Sequence, residues 1–371
     1  MTNQPYDLNL AMAAVADLEL EIVTHRNLDQ AIEAMEVLHA RAMHRHNGRR
    51  MRARGMLLLG AAGAGKSTVV QRFLDSHPPK LLKDGIVMQV VVVEVPPAPS
   101  LRAVVDAIYS ALGYRAEKTL SAEDIVKDLV GKVDLLGVAS MLLDESHHIL
   151  SSSRAGDVTE FLKSLLNRLG CSMIFSGLPE LEHLRGSLQL SRRLFPAANL
   201  RPYNFKNTVD RLEFMLFLAA VERNIIDLPE PSGLSSQDVA RRLYAATGGL
   251  IGIVMKYLSH ALLLSKLRGL RCIDLDLLAE IDASWSDSAA APDDITFEAD
   301  ISFDEGVDVA ALLAKAGNVH IDPATNPFKC KHDQLVEILQ KRITQQLVEP
   351  ARRRLDRRMK GVGADRQGAF R

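Results

Sequence analysis

The chain has little cysteine, no long apolar run and almost no net charge, and each lack removes a class of protein. Its three cysteines, Cys171, Cys272 and Cys330, lie far apart and form no C-x-x-C pair. A disulfide framework and a thiolate zinc site are therefore not expected, and reduced structural thiols are. The densest apolar stretch, Ile86 to Val95 (IVMQVVVVEV), has the length of a buried strand, short of the roughly 20 residues that span a bilayer. No membrane partner is expected. The first ten residues, MTNQPYDLNL, contain no basic segment followed by an apolar core, so no secretion signal is read there and a cytoplasmic location is expected. A net charge of −1 means that any nucleic-acid contact must come from local patches. There is no internal repeat, and the only low-complexity feature is an arginine-rich run near the C-terminus.

What is present is an ordinary globular composition, 47% apolar over 371 residues, enough for two or three domains. Residues 7 to 46 read as helix, with Leu28, Ile32, Met35, Leu38 and Met43 at helical spacing and Asn27 as a cap. His39, His44 and His46 cluster near its end beside Arg41, Arg45, Arg49 and Arg50. They are expected to be solvated, because no carboxylate or cysteine completes a ligand set. Strands are predicted over 86 to 95, up to Asp144, over 171 to 176 and over 197 to 201, separated by helices over 100 to 112, 121 to 133 and 156 to 169. That alternation predicts an α/β fold, a parallel sheet with helices on both faces. From Asn207 to about Ser265 the pattern is wholly helical, with Gly248 and Gly249 between two helices. Residues 283 to 300 read as an acidic linker. A final helix follows Asn326-Pro327-Phe328, and the basic run VEPARRRLDRRMKG comes after it.

The stretch GAAGAGKST, residues 60 to 68, carries chemistry. It fits G-x-x-x-x-G-K-[ST], with Gly60, Gly65, Lys66 and Ser67 at the fixed positions and Gly63 adding backbone freedom. Such a loop turns its N–H groups toward phosphates, its lysine reaches the β- and γ-phosphates, and its serine hydroxyl is a ligand for Mg²⁺. An apolar strand (Met56 to Leu59) precedes it and a helix beginning near Thr68 follows, as the motif requires. ATP and Mg²⁺ are the expected cofactors, with Gly60, Gly63, Gly65, Lys66, Ser67 and Thr68 binding the nucleotide.

Ser140 to Glu145 (SMLLDE) is an apolar strand ending in two acids. Asp144 is read as the second support of Mg²⁺ and Glu145 as the group that orients and deprotonates the attacking water. A glutamate here separates hydrolytic ATPases from P-loop kinases. Ser176, at the end of CSMIFSG, is a candidate sensor of the γ-phosphate, or merely the opening of a turn. Arg192 and Arg193, in QLSRRLFP, are poorly placed for their own nucleotide and well placed for a neighbour's, where a guanidinium would stabilise developing charge. The alternative reading of either is an ordinary surface residue; if one is such a finger, the active form is an oligomer. His147 and His148 follow the acid pair after Ser146. A metal reading is set aside for them, and either can instead hydrogen-bond Glu145 and set its orientation.

Taken together, GAAGAGKST, LLDESHHIL, IFSGLPE, LQLSRRLFP and ATGGLIGIV resemble the TniB/TnsC group of AAA+ transposition ATPases, relatives of IstB and more distantly of the Orc/Cdc6 initiators. The acid pair with its following His-His-Ile-Leu is the most specific piece, and the resemblance runs from about residue 30 to about 265. It implies a P-loop AAA+ core over 51–206, an N-terminal helical segment over 1–50, a small helical lid over 207–266 and a C-terminal extension over 267–371. It also implies an ATP-dependent regulator of DNA transposition that forms a ring or helical filament on double-stranded DNA and links a target-selecting protein to the transposase. On that likeness Asp144, Glu145, Ser176 and one of Arg192 or Arg193 serve hydrolysis. One departure is that no arginine adjoins Gly248-Gly249 as a second sensor; Lys256 is only a remote substitute.

ATPases of this kind hold the duplex by its backbone. Arg115, Lys118 and Thr119 (in GYRAEKTL) and Arg154 (in SSSRAG) are the candidate contacts, against the alternative of solvated loop charges. The basic C-terminal run suits DNA, an acidic partner or plain solvation, with a partner role favoured for 300 to 371. The alternative function is a secretion-associated or signalling P-loop ATPase that gates a protein interaction without DNA.

Overall fold

A computed structural model describes residues 8–20, 23–46, 49–50, 52–83, 85–117, 121–152, 154–186, 191–288, 326–332 and 334–343. Its contacts divide into two units: one from the described residues of Thr24–Arg201, the other from those of Met1–Val23 and Pro202–Glu349.

The first unit is built on strands. After helix α2 (Arg26–Met43) and a short ribbon of β1 (Arg45–His46) and β2 (Arg49–Arg50) come β3 (Gly55–Gly60), α3 (Lys66–Ser76), a hairpin of β4 (Lys80–Leu82) and β5 (Gly85–Val87), and β6 (Val90–Glu94). Then follow α4 (Leu101–Ala111), α5 (Ala122–Leu135), β7 (Ser140–Asp144), α6 (His148–Ser151), α7 (Ala155–Arg168), β8 (Ser172–Gly177), a 3-10 turn over Pro179–Gly186 and β9 (Ala198–Leu200). Five strands form one parallel sheet in the order β6-β7-β8-β3-β9. Because successive side chains alternate across a strand, Leu57, Leu59, Met141, Leu143, Met173 and Phe175 join one core with α4, α5 and α7. The alternate residues Met56, Leu58, Leu142 and Ile174 are equally buried, and α2 and α3 lie against the sheet as well. Burial on both faces is the reason these strands read as continuous apolar runs.

The second unit is helical: α1 (Leu8–Leu20), α8 (Thr208–Asn224), α9 (Gln237–Thr247), α10 (Ile251–Arg268), α11 (Leu275–Ser288) and α12 (Leu335–Ile343). Its core holds Leu18, Phe214, Leu218, Val221, Leu243, Tyr257, Leu258 and Phe328. Asp282, on α11, is only 1% exposed. It accepts hydrogen bonds from both terminal nitrogens of Arg342 at 2.7 Å and from the Tyr257 hydroxyl at 2.5 Å, which fastens α12 to the unit. Arg242 adds a second fastening by donating to the carbonyls of Pro327 and Cys330. Among the described residues no single helix is long and apolar enough to cross a membrane.

The sheet with its flanking helices is as the sequence predicts; several local expectations are not. The helix predicted over 7 to 46 is two helices, Leu8–Leu20 and Arg26–Met43, and the described residues between them include the β-branched Val23 and Thr24, whose restricted side chains disfavour helix. The N-cap of α2 is His25, not Asn27, and Asn27 instead donates from Nδ2 to the Arg201 carbonyl at 2.8 Å. His39 is not solvated: it is 5% exposed, lies 3.0 Å through Nδ1 from the Ser140 hydroxyl and stacks on His77 at 4.1 Å. Burial, and then the neighbouring His77, hold its pKa down at about 4. The strand predicted over 86 to 95 is interrupted at Met88 and Gln89, whose backbone groups are taken by Leu136, Ala139 and Ser140. The first part of the expected linker, Ala283 to Ser288, is the end of α11. The remainder of that linker and the basic C-terminal run lie outside the described residues.

Candidate active site

β3 carries the chain into the loop Gly60 to Gly65, and α3 starts at Lys66. Gly65 caps α3 with φ 91°, in the left-handed region, yet nothing lies within 4 Å of where its Cβ would be. The demand there is conformational. Gly60 is needed for a different reason, since a Cβ on it would stand 3.0 Å from the Ala64 Cβ and 3.2 Å from that of Leu200. Gly63 shares the left-handed backbone, at φ 74°. Gly65 brings no side chain to cap α3, and the first turn holds no acid. The first N–H groups and the positive end of the helix are thereby left to an anion. The Lys66 ammonium, only 9% exposed with its residue, donates to the carbonyls of Gly60 at 3.0 Å and Ala61 at 3.2 Å. Ser67 and Thr68 occupy the exposed start of α3.

β8 lies between β3 and β7. In a parallel sheet the strand ends share one edge, so the loop after β3, Ser176 near the end of β8 and Asp144 at the end of β7 line the carboxyl edge together. The backbone there is tightly held. Asp144 Oδ1 accepts the Glu145 N–H at 2.9 Å, the Ser146 hydroxyl donates to Leu143 O at 2.7 Å, and the Ser146 N–H donates to Ser176 O at 2.8 Å. Glu145 has φ 50°. A side chain in that region costs roughly 1–2 kcal/mol, and such strain collects at functional sites. His147 Nδ1 stands 3.0 Å from Glu145 Oε2, at ion-pair distance but outside hydrogen-bond alignment. Beside it the Glu145 carboxyl is held below the usual carboxylate range, first by His147 and less by Lys66 and His148, against the opposing pull of half-burial. Glu145 is thus ionised at neutral pH, the form that accepts a proton. Ser176 is fully buried, and its hydroxyl has no hydrogen-bond partner among the described residues. Leaving such a group unpaired costs about 1–3 kcal/mol.

Arg192 and Arg193 are at the other end of the sheet. The Arg193 carbonyl accepts from Gly55 N at 3.0 Å and the Arg192 carbonyl from Arg54 at 2.7 Å, both at the start of β3. One strand length, about 16 Å, separates that point from the phosphate loop. Arg115 and Arg154 are exposed, in loops tied to one segment: Arg102 donates to the carbonyls of Ala116 and Glu117, and the Ser152 hydroxyl donates to the Pro99 carbonyl. Lys118 and Thr119 lie outside the described residues. Sequence reasoning assigned nothing to Glu94, which the strand register sets directly beside Asp144. Its signal was a single acid closing an otherwise apolar strand.

A phosphate loop and an acid-tipped strand, parted by one further parallel strand in this order, define a P-loop AAA+ fold. The chain belongs to the TniB family: the model of the bacterial TniB protein matches residues 19–204, just over half of it. Among solved structures it is similar to the Aeropyrum pernix ORC1 protein in complex with DNA, at 18% identity and a TM-score of 0.51 over 75% of this chain and 72% of that one. It is also similar to the Aeropyrum pernix ORC2 protein in its ADPNP–ADP complexes, at 16% identity and a TM-score of 0.50 over 90% and 98%. These likenesses establish the fold. No curated protein matches the sequence.

Proposed function

We propose that this protein is an ATP-dependent regulator of DNA transposition that assembles on double-stranded DNA with ATP bound and is released by hydrolysis. The observation that carries the hydrolytic part is the ionised Glu145 on the same sheet edge as the phosphate loop, with the unpaired Ser176 hydroxyl on the strand between. Gly60, Gly63, Gly65 and the N–H groups leading into α3 cradle the phosphates, while Lys66 turns from the loop carbonyls to the β- and γ-phosphates. Ser67 and Asp144 offer the oxygen donors that a hard cation requires, and would hold Mg²⁺. When bound, that ion neutralises charge on the phosphates.

Glu145 accepts a proton from the water whose oxygen attacks the γ-phosphorus. The bond from that phosphorus to the bridging oxygen breaks, and ADP leaves with its electron pair. His147 holds the carboxylate in its charged form, and Ser176 gives its hydroxyl to the water or the γ-phosphate. Arg192 or Arg193, a strand length from its own phosphate loop, serves the site of a neighbouring copy. That assignment makes the active form a homo-oligomer, a ring or a helical filament.

Arg115 and Arg154, held on loops tied to Pro99 and Arg102, contact the DNA backbone, with Lys118 and Thr119 beside Arg115 in sequence. The helical residues 207–266 serve as the lid of the AAA+ core. Residues 300–371 meet the transposase and the target-selecting protein. The test is negative-stain imaging of the purified protein with double-stranded DNA, with and without a non-hydrolysable ATP analogue. Rings or filaments that need both ligands are expected; oligomers formed without regard to DNA would overturn the reading.

A further inference from the structure

Two histidines stand two and three residues after Glu145, and the backbone folds these three side chains together. The left-handed turn at Glu145 brings its carboxylate to 3.0 Å from the His147 Nδ1. The rings of His147 and His148 lie 4.3 Å apart, tilted by 38°. One donor atom from each of the three residues falls within 4.8 Å of the others. The turn beneath them is hydrogen-bonded and closely packed: Ser146 is tied to Ser176 and Leu143, and a Cβ on Gly177 would stand 3.0 Å from the His147 backbone nitrogen.

We infer that Glu145, His147 and His148 form a binding site for a borderline transition-metal ion of the Zn²⁺ class, separate from the oxygen site at Ser67 and Asp144, and that its occupation arrests ATP hydrolysis. Two imidazoles and one carboxylate with a fourth position open is a ligand set that zinc accepts. In a tetrahedral site with zinc–nitrogen bonds of about 2.0–2.1 Å, donors stand about 3.3 Å apart, so the widest pair must close by at most roughly 1.5 Å. Rotation of side chains on the fixed turn supplies that. Magnesium does not compete, because it demands an octahedron of hard oxygen donors. The two sites therefore divide by chemistry although Asp144 and Glu145 are adjacent in sequence.

The consequence is regulatory. A bound Zn²⁺ occupies the lone pairs with which Glu145 would accept a proton, while the loop that holds the phosphates stays intact. ATP still binds and is not cleaved, so the metal holds the protein in its ATP-bound form. This effect on turnover rests on Glu145 being the base; the binding of the metal does not.

The test separates the two. Zn²⁺ is titrated into the full chain, free of nucleotide and Mg²⁺, against a chromophoric chelator. Wild type and Ser67→Ala are expected to bind alike. His147→Ala and His148→Ala are expected to bind at least about 10-fold more weakly, since even residues that only support a ligand are worth that much. His148→Gln, with its circular dichroism matched to wild type, guards against loss of fold, and Co²⁺ should give the visible spectrum of a four-coordinate ion in wild type and Ser67→Ala but not in the histidine variants. Equal Zn²⁺ affinity in wild type and the histidine variants would overturn the site. Tight Zn²⁺ binding at the site with unchanged ATP turnover in excess Mg²⁺ would instead overturn the arrest and count against Glu145 as the base.

Discussion

Asp282 is a fully buried carboxylate and Glu145 a half-exposed one, and they are treated in opposite ways. Asp282 sits in the helical unit with every demand met, by a two-pronged guanidinium and a phenol. Glu145 sits at the sheet edge on a strained backbone, 3.0 Å from a histidine that is not aligned to bond it, with an unpaired hydroxyl on the next strand. A satisfied buried charge has no capacity left for a ligand and serves to hold elements together. Capacity held open under strain marks chemistry. The comparison separates the structural acid from the functional one without reference to any motif.

The sharpest way to break that comparison is at the phosphate loop. Lys66→Ala should abolish nucleotide binding, measured with a fluorescent ATP analogue, while its melting curve in the absence of nucleotide stays near wild type. Next in size, Glu145→Gln should lower ATP turnover by about 10²–10⁴-fold, the range for losing a general base, and should lengthen the lifetime of the ATP-bound assembly on DNA. Faster release from DNA would contradict the role given to it.

On the structural side, Arg342→Ala should cost the helical unit about 3–5 kcal/mol, because it strands a buried carboxylate. Urea denaturation followed at Trp285, which packs against Tyr257, reports on that unit. Ser176→Ala should do the reverse, lowering turnover while leaving stability unchanged or slightly raised, since the hydroxyl removed is an unpaired one. The smallest effect concerns His39, whose pKa falls to about 4 through burial and the nearby His77, with Glu36 opposing. The folded state then binds fewer protons than the unfolded chain between about pH 4 and the ordinary 6.5. Its contribution is complete above that window and is lost as pH falls through it. His39→Gln should flatten this part of the stability profile, read from melting temperatures at pH 5 and 7.5.

The acid proposed as the base was legible in the sequence and the structural one was not. Lys66, Asp144 and Glu145 announce themselves because the phosphate loop and the acid-tipped strand are local patterns, each written within a few consecutive residues. Asp282 and Arg342 lie 60 residues apart, and nothing in the neighbourhood of either names the other. His39 was misread for the same reason: beside Arg41 it looks like a solvated basic end, and only Ser140, 101 residues away, reveals a buried partner. The parallel sheet was inferable from alternation. The β4–β5 hairpin was not, because its exposed Leu81, Leu82 and Ile86 carry the composition of a core strand.

The positive φ of Glu145 also bears on how this protein would respond to engineering. Among the described residues only Ala98 and Glu145 adopt such a backbone without being glycine. Glycine or asparagine at position 145 would relieve the turn and raise the melting temperature. A library sorted for heat resistance alone would therefore enrich variants that lack the proposed base at this one codon. Selection for stability and selection for turnover pull in opposite directions there, and only a screen that scores both would keep the glutamate.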